Sequence, residues 1–283
     1  IVSAGVHRRL YPGLKSLRQP GVVKLWETGR KKFIFTADEG AIKSYTSAKH
    51  GFTWTDVATA RSQAGTVEPA ELKANTNDDE KLGRLQVSTV DGKDTFNEKY
   101  LHLEAFGGRG FSIWDSSNLV SPVYDSEGHL EEYMEAFDRY VFNTDYIANS
   151  NYLSPEQHRD VVSNQQGAKV TGMDIAEDNG TIFLVVGTWS TGTLFTYTVN
   201  VTSGQPIPSF QSVVRSGVTD IPWRDLYQNQ TIGDLHISDV GIIPSDRSPT
   251  GSPLVYVTSN GAGALSLYSI VYKSAVIPGP QRK

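Results

Sequence analysis

Residues 183–197 read FLVVGTWSTGTLFTY, and residues 254–268 read LVYVTSNGAGALSLY. The two stretches have the same length and the same plan: an apolar strand, a polar loop, a glycine, and an alternating strand that ends in tyrosine. Residues 33–45 follow this plan in a form two residues shorter, with Gly40 in the loop. A unit that recurs along a chain indicates a repeat architecture, in which each copy forms the same supersecondary structure.

A further strand is predicted before each copy of the unit. Val22–Trp26, Val170–Ile175 and Ser238–Ile243 are apolar or alternating runs that end shortly before the copy begins. Strand, turn, strand, glycine loop and strand are typical of one blade of a β-propeller. The sequence therefore predicts an all-β fold. We favour a β-propeller over the alternative, a generic antiparallel β-sandwich with similar hairpins.

Two long inserts interrupt the repeat, and residues 1–283 are expected to form a single domain or the C-terminal part of one. Insert 46–81 is polar, and residues 68–72 predict the start of a short helix within it. Insert 126–165 contains apolar residues at helical spacing, which predicts a helix over 128–140 that packs against a sheet.

Composition excludes several classes of function. The chain has 26 Lys and Arg against 31 Asp and Glu, a formal net charge of −5. Phosphate binding needs concentrated basic side chains, so nucleic acid is not expected as a partner. The absence of cysteine excludes disulfides, thiolate metal ligands and a cysteine nucleophile.

Several features indicate a secreted, extracellular protein. Acceptor tripeptides for N-glycosylation begin at Asn179, Asn200 and Asn229, the first two at predicted hairpin turns. No apolar run approaches the roughly 20 residues needed to cross a bilayer, so no membrane span is expected. The chain starts at Ile1 rather than at a methionine, and we expect a mature or truncated product.

Motifs for common catalytic sites are not found in the sequence. Residues 187–192 (GTWSTG) come nearest to a serine-hydrolase elbow, but the spacing is wrong and they lie between strands. Residues 107–110 (GGRG) lead into a strand rather than a helix, so they offer no helix N-terminus to a phosphate. We expect a tight turn there, with Arg109 paired to an acid. The six histidines are scattered, without the spacing of a zinc site.

Four stretches carry a resemblance to a known family: 35–40 (FTADEG), 82–85 (LGRL), 108–115 (GRGFSIWD) followed by 123–126 (VYDS), and 248–254 (SPTGSPL). The chain resembles the mesenchyme-specific cell-surface glycoproteins, a family associated with biomineralisation. The relatives of that family include bacterial secreted and surface-anchored proteins of the choice-of-anchor type. Order and rough spacing agree over most of the chain.

The resemblance implies an extracellular β-propeller, seven-bladed in the family, to which this chain supplies about four to five blades. An open ring would expose apolar sheet faces, which is unfavourable for a soluble monomer. We therefore expect another chain, or an N-terminal segment of the same precursor, to complete the ring.

The resemblance also bears on cation binding, because the family places glutamates in the loops of several blades. Glu39 keeps one of them, whereas the equivalent positions hold Trp189 and Asn260, and Lys169 stands in a lead-in that is glutamate-rich in the family. Losing carboxylates and gaining a lysine weakens hard-cation binding. Ca²⁺ is the one cofactor considered, and its candidate ligands are Asp38, Glu39, Asp115, Asp125, Asp234 and Asp239.

The expected function is that of a secreted, non-catalytic β-propeller glycoprotein, a structural, matrix or binding component linked to biomineralisation through the resemblance. No catalytic residue is assigned. Two alternatives stay open. A calcium-assisted, phosphoesterase-like hydrolase on the same scaffold would need carboxylates that converge on one cavity. A calcium or mineral-surface binder would use acidic segments such as 75–80 and 125–132.

Overall fold

The computed structural model describes residues 9–138, 140–146 and 150–271. The strands are β1 Leu14–Leu17, β2 Val22–Thr28, β3 Lys31–Ala37, β4 Ser44–Ser47, β5 Phe52–Thr55, β6 Val57–Thr59, β7 Gln86–Ser88, β8 Leu103–Phe106, β9 Phe111–Asp115, β10 Tyr124–Asp125, β11 Val170–Asp178, β12 Thr181–Thr188, β13 Thr193–Asn200, β14 Ile207–Arg215, β15 Ile237–Ile243, β16 Leu254–Ser259 and β17 Ala264–Ser269. The helices are α1 Ala60–Gln63, α2 Ala70–Thr76, α3 His129–Asp138 and α4 Trp223–Gln228.

Strand pairing gives four sheets and one hairpin. The N-terminal sheet has the order β10-β9-β3-β2, the central sheet β11-β12-β13-β14 and the C-terminal sheet β15-β16-β17, and all three are antiparallel. The insert sheet, β1-β8-β7-β6, pairs β1 with β8 in parallel, and β4 and β5 form the hairpin. The all-β prediction is confirmed, and no sheet closes on itself within the described ranges.

The central sheet lies between the other two long sheets. β11 packs against β2 and β3 on one side and against β15 on the other. Leu184 and Val186 belong to the core shared with the N-terminal sheet, whereas Phe183 and Val185 belong to the core shared with the C-terminal sheet. The apolar run of β12 is therefore buried on both faces, as the sequence predicts.

A pair of glycines sets the distance between the central and C-terminal sheets. Gly172 of β11 and Gly187 of β12 lie opposite each other. A Cβ atom at Gly172 would lie 2.6 Å from Val240 Cγ2, and one at Gly187 would lie 2.8 Å from Ile237 Cγ2. These contacts are shorter than packing allows, so the close approach of β15 requires glycine at both positions.

The third strand of the N-terminal sheet is not the one that the repeat predicts. Residues 41–45 were expected to pair with β3, but Ser44–Ser47 form the hairpin with β5 instead. β3 pairs with β9, about seventy residues further along the chain, so that Phe35 lies opposite Ile113. Phe111 and Ile113 share one face of β9 and are fully buried in the core. Ile42 and Tyr45 would instead lie on opposite faces of a strand, so β9 buries more apolar surface against β3.

Both inserts contain the helices that the sequence predicts. The first, however, reaches from the end of β3 to the start of β9 and encloses a small core of its own around Leu72, Tyr100 and Leu103. In the second insert, α3 buries Leu130 and Met134 in the main core. Its Tyr133 ring stacks on Phe210 of β14 with ring centroids 3.9 Å apart.

Candidate functional site at the shared end of the three long sheets

The three long sheets present equivalent loops at one end. Shortly before the first strand of each sheet, a residue with a positive φ accepts, through its carbonyl, a hydrogen bond from the loop after the second strand; Lys169 and His236 directly precede their strands, and Gln19 lies three residues before β2. The pairs are Gly40 N–H to Gln19 at 3.2 Å, Trp189 N–H to Lys169 at 2.8 Å, and Asn260 N–H to His236 at 2.9 Å. This register aligns Trp189 and Asn260 with Gly40, one residue beyond Glu39.

Five side chains form a continuous row across this end of the molecule, which we call the polar row. Lys169 Nζ lies 3.7 Å from Glu39 Oε1 and 4.6 Å from the centroid of the Trp189 ring. Trp189 stacks on His236 with centroids 4.6 Å apart and planes 14° apart. His236 Nε2 lies 2.6 Å from Asp145 Oδ1. The row therefore runs from one carboxylate through an ammonium group and two rings to a second carboxylate.

The polar row suits recognition better than metal binding. The Lys169 ammonium lies beside Glu39, where a divalent cation would have to sit, and like charges so close repel. Trp189 is partly buried, and an ammonium group over such a ring contributes about 0.5–2 kcal/mol, so this contact helps to hold the two side chains in place. The row presents two partly buried rings between opposite charges, a surface that can contact a polar or charged partner.

A second group of charges surrounds Asp38, which is 1% exposed. The Asp38 carboxylate accepts hydrogen bonds from Thr36 Oγ1 at 2.8 Å and Ser112 Oγ at 2.5 Å, and Arg18 Nη1 lies 2.9 Å away. Arg18 Nη2 also lies 2.6 Å from Asp125 Oδ2. The structure thus brings two predicted calcium ligands together, but around a guanidinium group.

The charge state of Arg18 makes this arrangement an internal ion cluster. Burial opposes the charged form, but the hydrogen bonds and charges of Asp125 and Asp38 outweigh it and raise the pKa of Arg18. Arg18 also lies over the Trp114 ring, 5.6 Å from its centroid. An apolar cleft of about 270 Å³ borders this cluster on the outer face of the N-terminal sheet and is lined in part by Ile34 and Trp114.

The other predicted calcium ligands lie apart from one another. Asp115 caps an exposed turn and accepts hydrogen bonds from Ser117, whose side chain and backbone lower the pKa of Asp115. Asp234 is buried beneath the C-terminal sheet, and Asp239 lies in β15 near Tyr256. Within the described residues, no three side chains of the types that bind metals form a group.

Arg109 forms the acid pair that the sequence predicts. Its guanidinium contacts Glu131 through Nη2–Oε1 at 2.6 Å and Nε–Oε2 at 2.8 Å, and its Nη1 donates to the Ser163 carbonyl at 3.0 Å. Positive φ values at Gly107 and Arg109 shape the turn. The bidentate pair ties this turn to α3, so its role is structural.

All three glycosylation acceptors are exposed. Asn179 lies in the turn between β11 and β12, and Asn200 ends β13, as predicted, while Asn229 follows α4. Asn200 Oδ1 accepts hydrogen bonds from the Thr202 backbone at 2.9 Å and the Thr202 hydroxyl at 2.6 Å. The asparagine of each acceptor is therefore accessible, as attachment of a glycan requires.

Several residues of these sites carry little signal in the sequence. Arg18 and Asp145 stand in loops without a motif, and their partners come from distant parts of the chain. His236 could have been found, because it stands immediately before β15, as Lys169 stands before β11. That shared position is what places both side chains in the polar row.

Comparison with known proteins assigns the family. The profile of the Choice-of-anchor I domain matches residues 3–202, which is more than half of the chain. The chain belongs to the choice-of-anchor I domain family. The matched region includes the N-terminal sheet, the insert sheet and most of the central sheet.

A curated relative extends this result. The choice-of-anchor I domain described here is 27% identical to Gigasin-3a of Magallana gigas over 208 residues, which cover 71% of the chain and 68% of the relative. No solved structure matches the chain significantly. These similarities indicate a secreted or cell-surface protein. Among the described helices, none has the length and apolar character that a membrane span requires.

Proposed function

We propose that this choice-of-anchor I domain is a non-catalytic, extracellular binding and assembly module. The observation that carries the proposal is the pairing of Asp38, Asp125 and Glu39 with Arg18 and Lys169 of the same chain. A metal-assisted hydrolase needs carboxylates free to hold a cation over one cavity. Here the cationic side chains occupy that place, and the polar row remains as a surface for recognition.

Activity and calcium assays test this proposal. Incubation with a generic phosphodiester such as bis(p-nitrophenyl) phosphate, with and without Ca²⁺, should give no hydrolysis above the rate without protein. Turnover that requires Ca²⁺ and that disappears in Asp38→Asn would overturn the proposal in favour of the hydrolase. Asp246→Asn changes an acid on an exposed turn and serves as the matched control.

The proposal extends to a β-propeller in which the three long sheets are consecutive blades. Two features support this: the equivalent loops at one end, and the packing of neighbouring sheets through their first strands. The two outermost faces carry exposed apolar side chains, Val23 and Leu25 on the N-terminal sheet and Leu265 and Leu267 on the C-terminal sheet. Such patches favour contact with further protein, so we propose that additional sheets complete the ring.

Light scattering tests whether the two outermost sheet faces bind further copies of the chain. The chain should associate as its concentration rises, and the double variant Leu265→Asp, Leu267→Asp should reduce that association. Val90→Asp, at an exposed apolar residue away from the three long sheets, is the control and should behave like the wild type. A wild-type chain that stays monomeric at all concentrations contradicts this part of the proposal.

A place in an extracellular matrix, including a mineralised one, is the most specific form of the proposal. The resemblance in sequence and the three exposed glycan acceptors support it. Pull-down of purified, glycosylated protein on calcium carbonate and on chitin, against an uncharged resin, is the direct test. Equal retention on all three materials would contradict a matrix role.

A further inference from the structure

A cavity of about 570 Å³ lies between the ends of the central and C-terminal sheets. Its lining includes Ser216 after β14, Tyr227 of α4, Asp234, and Ser266 and Tyr268 of β17, but none of the polar-row residues. The volume is within the range of cavities that hold small molecules.

The floor of this cavity is a buried negative charge. Asp234 is 3% exposed and accepts hydrogen bonds from Ser266 Oγ at 2.5 Å, Ser216 Oγ at 2.9 Å and the Tyr268 hydroxyl. Across the described part of the chain, no Lys, Arg or His forms an ion pair with Asp234. Burying a carboxylate without a cation is unfavourable, so a cation that binds at this site would compensate the buried charge and stabilise it.

The hydroxyl groups around Asp234 offer acceptors rather than donors to a ligand. Each hydroxyl has a single proton, and Ser216, Ser266 and Tyr268 all direct it at Asp234. Burial and the Asp234 hydrogen bond raise the pKa of Tyr268 to about 12, so its proton stays in place at neutral pH. Ser216 Oγ also accepts the Asp234 backbone N–H at 3.0 Å, so the lone pairs left to accept from a ligand belong mainly to Ser266 and Tyr268, beside the negative charge.

We infer that this cavity binds a primary ammonium group. An ammonium group brings one positive charge and three N–H donors, which matches a single carboxylate ringed by acceptor oxygens. Tyr227 and Tyr268 also line the cavity, and tyrosine rings attract cations. Ca²⁺ fits less well, because it takes six to eight oxygen ligands and Asp234 is the only carboxylate among the described residues that line the cavity. The ammonium group could belong to a free amine or to a lysine of another protein.

Calorimetry with simple probes tests the inference. Butylamine should bind with one site per chain at millimolar concentration, whereas butanol and butyrate, which lack the cation, should not. Asp234→Asn should weaken butylamine binding about tenfold or more, since a charge-assisted hydrogen bond and the buried charge are both lost. Tyr268→Phe should weaken it several-fold. A peptide with one lysine, compared with butylamine, distinguishes a protein ligand from a free amine.

Controls separate the site from general effects of charge and folding. Asp239→Asn changes an acid of the same sheet that lies outside the cavity and should leave binding unchanged. Thermal unfolding shows whether each variant is folded, and Tyr268→Phe keeps the test valid if Asp234→Asn is not. Equal binding of butanol, unchanged binding in folded Asp234→Asn, or no binding of either amine probe overturns the inference.

Discussion

Asp38 and Asp234 are buried almost completely, yet the fold surrounds them differently. Both accept hydrogen bonds from two or more hydroxyl groups. Asp38 also has the Arg18 guanidinium beside it, while the described residues supply no cation to Asp234. Removing the cation from a buried pair is strongly destabilising because the carboxylate is left uncompensated, whereas a buried carboxylate without a cation keeps its charge available to a ligand. The comparison separates a structural acid from a candidate binding acid.

The largest expected loss of stability comes from removing the cation beside Asp38. Arg18→Ala removes the only cation in contact with two carboxylates in the described N-terminal sheet region, and leaves Asp38 charged and buried. We expect the free energy of unfolding to fall by about 3 kcal/mol, because breaking a buried pair exceeds the value of an exposed one. Urea unfolding followed by tryptophan fluorescence measures the change.

Two further variants sharpen this result. Lys32→Ala, in the exposed pair with Glu27, should cost less than about 0.5 kcal/mol. Asp234→Asn should cost about 1.5 kcal/mol, the lower end for hydrogen bonds to a charged acceptor, since it loses no cation and removes an uncompensated buried charge. If Arg18→Ala and Asp234→Asn prove equally destabilising, the distinction between the two carboxylates is wrong.

A smaller effect concerns alkaline pH at the Asp234 cavity. The pKa of Tyr268 is about 12 in the folded chain, above the ordinary tyrosine value of 10.0, so the folded state holds this proton more tightly than the unfolded state. The stabilisation is complete below pH of about 10 and is lost as pH rises through about 12. Tyr268→Phe should therefore lose less stability over this interval.

The measurement is urea unfolding at a series of pH values. The difference in slope between wild type and Tyr268→Phe should approach one proton. Tyr45→Phe, at an exposed tyrosine of the hairpin, is the matched control and should keep the wild-type slope. Identical slopes in all three proteins would mean that Tyr268 is not held protonated by its buried position beside Asp234.

The smallest expected difference compares two glycan acceptors. The Thr202 hydroxyl contacts the Asn200 side chain at an exposed turn, whereas the Thr231 hydroxyl after Asn229 is buried and finds no hydrogen-bond partner among the described residues. We expect higher occupancy at Asn200 than at Asn229 when the chain is secreted from a glycosylating host, because the acceptor threonine must be accessible. Glycopeptide mass spectrometry measures both, with Thr202→Ala as the control that removes the Asn200 glycan. Higher occupancy at Asn229 contradicts the prediction.

The strands of the three long sheets were largely predictable, because alternating and continuous apolar runs reflect burial on one or both faces. Which strands pair with one another was not predictable. Residues 41–45 have a strand-like pattern, but Ile42 and Tyr45 would lie on opposite faces of a strand, whereas β9 brings Phe111 and Ile113 to one face of the sheet. The hydrophobic pattern of a segment indicates its local preference for a strand. Strand pairing depends on how residues far apart in sequence fill a shared core.

The candidate sites were predictable only in part. The position of Lys169 directly before a predicted strand is visible in the sequence. The weakening of cation binding near Glu39 is an implication of the family resemblance and stays a prediction. The contact of His236 with Asp145 and that of Arg18 with Asp38 could not be anticipated, since each joins a loop residue to a remote side chain. Whether an acid has a cation beside it decides its role, and only the fold provides that information.

Titration with Ca²⁺ tests the central claim, that cationic side chains of the chain itself occupy the places where a calcium-dependent site would hold its metal. The account predicts no saturable heat and no rise in Tm for the wild type at millimolar Ca²⁺. Lys169→Glu, which adds a carboxylate beside Glu39, should bind Ca²⁺ more tightly than the wild type, whereas Lys32→Glu, on the exposed hairpin, should not. Saturable binding of one Ca²⁺ per wild-type chain, with a rise in Tm that Asp38→Asn or Glu39→Gln abolishes, would contradict it.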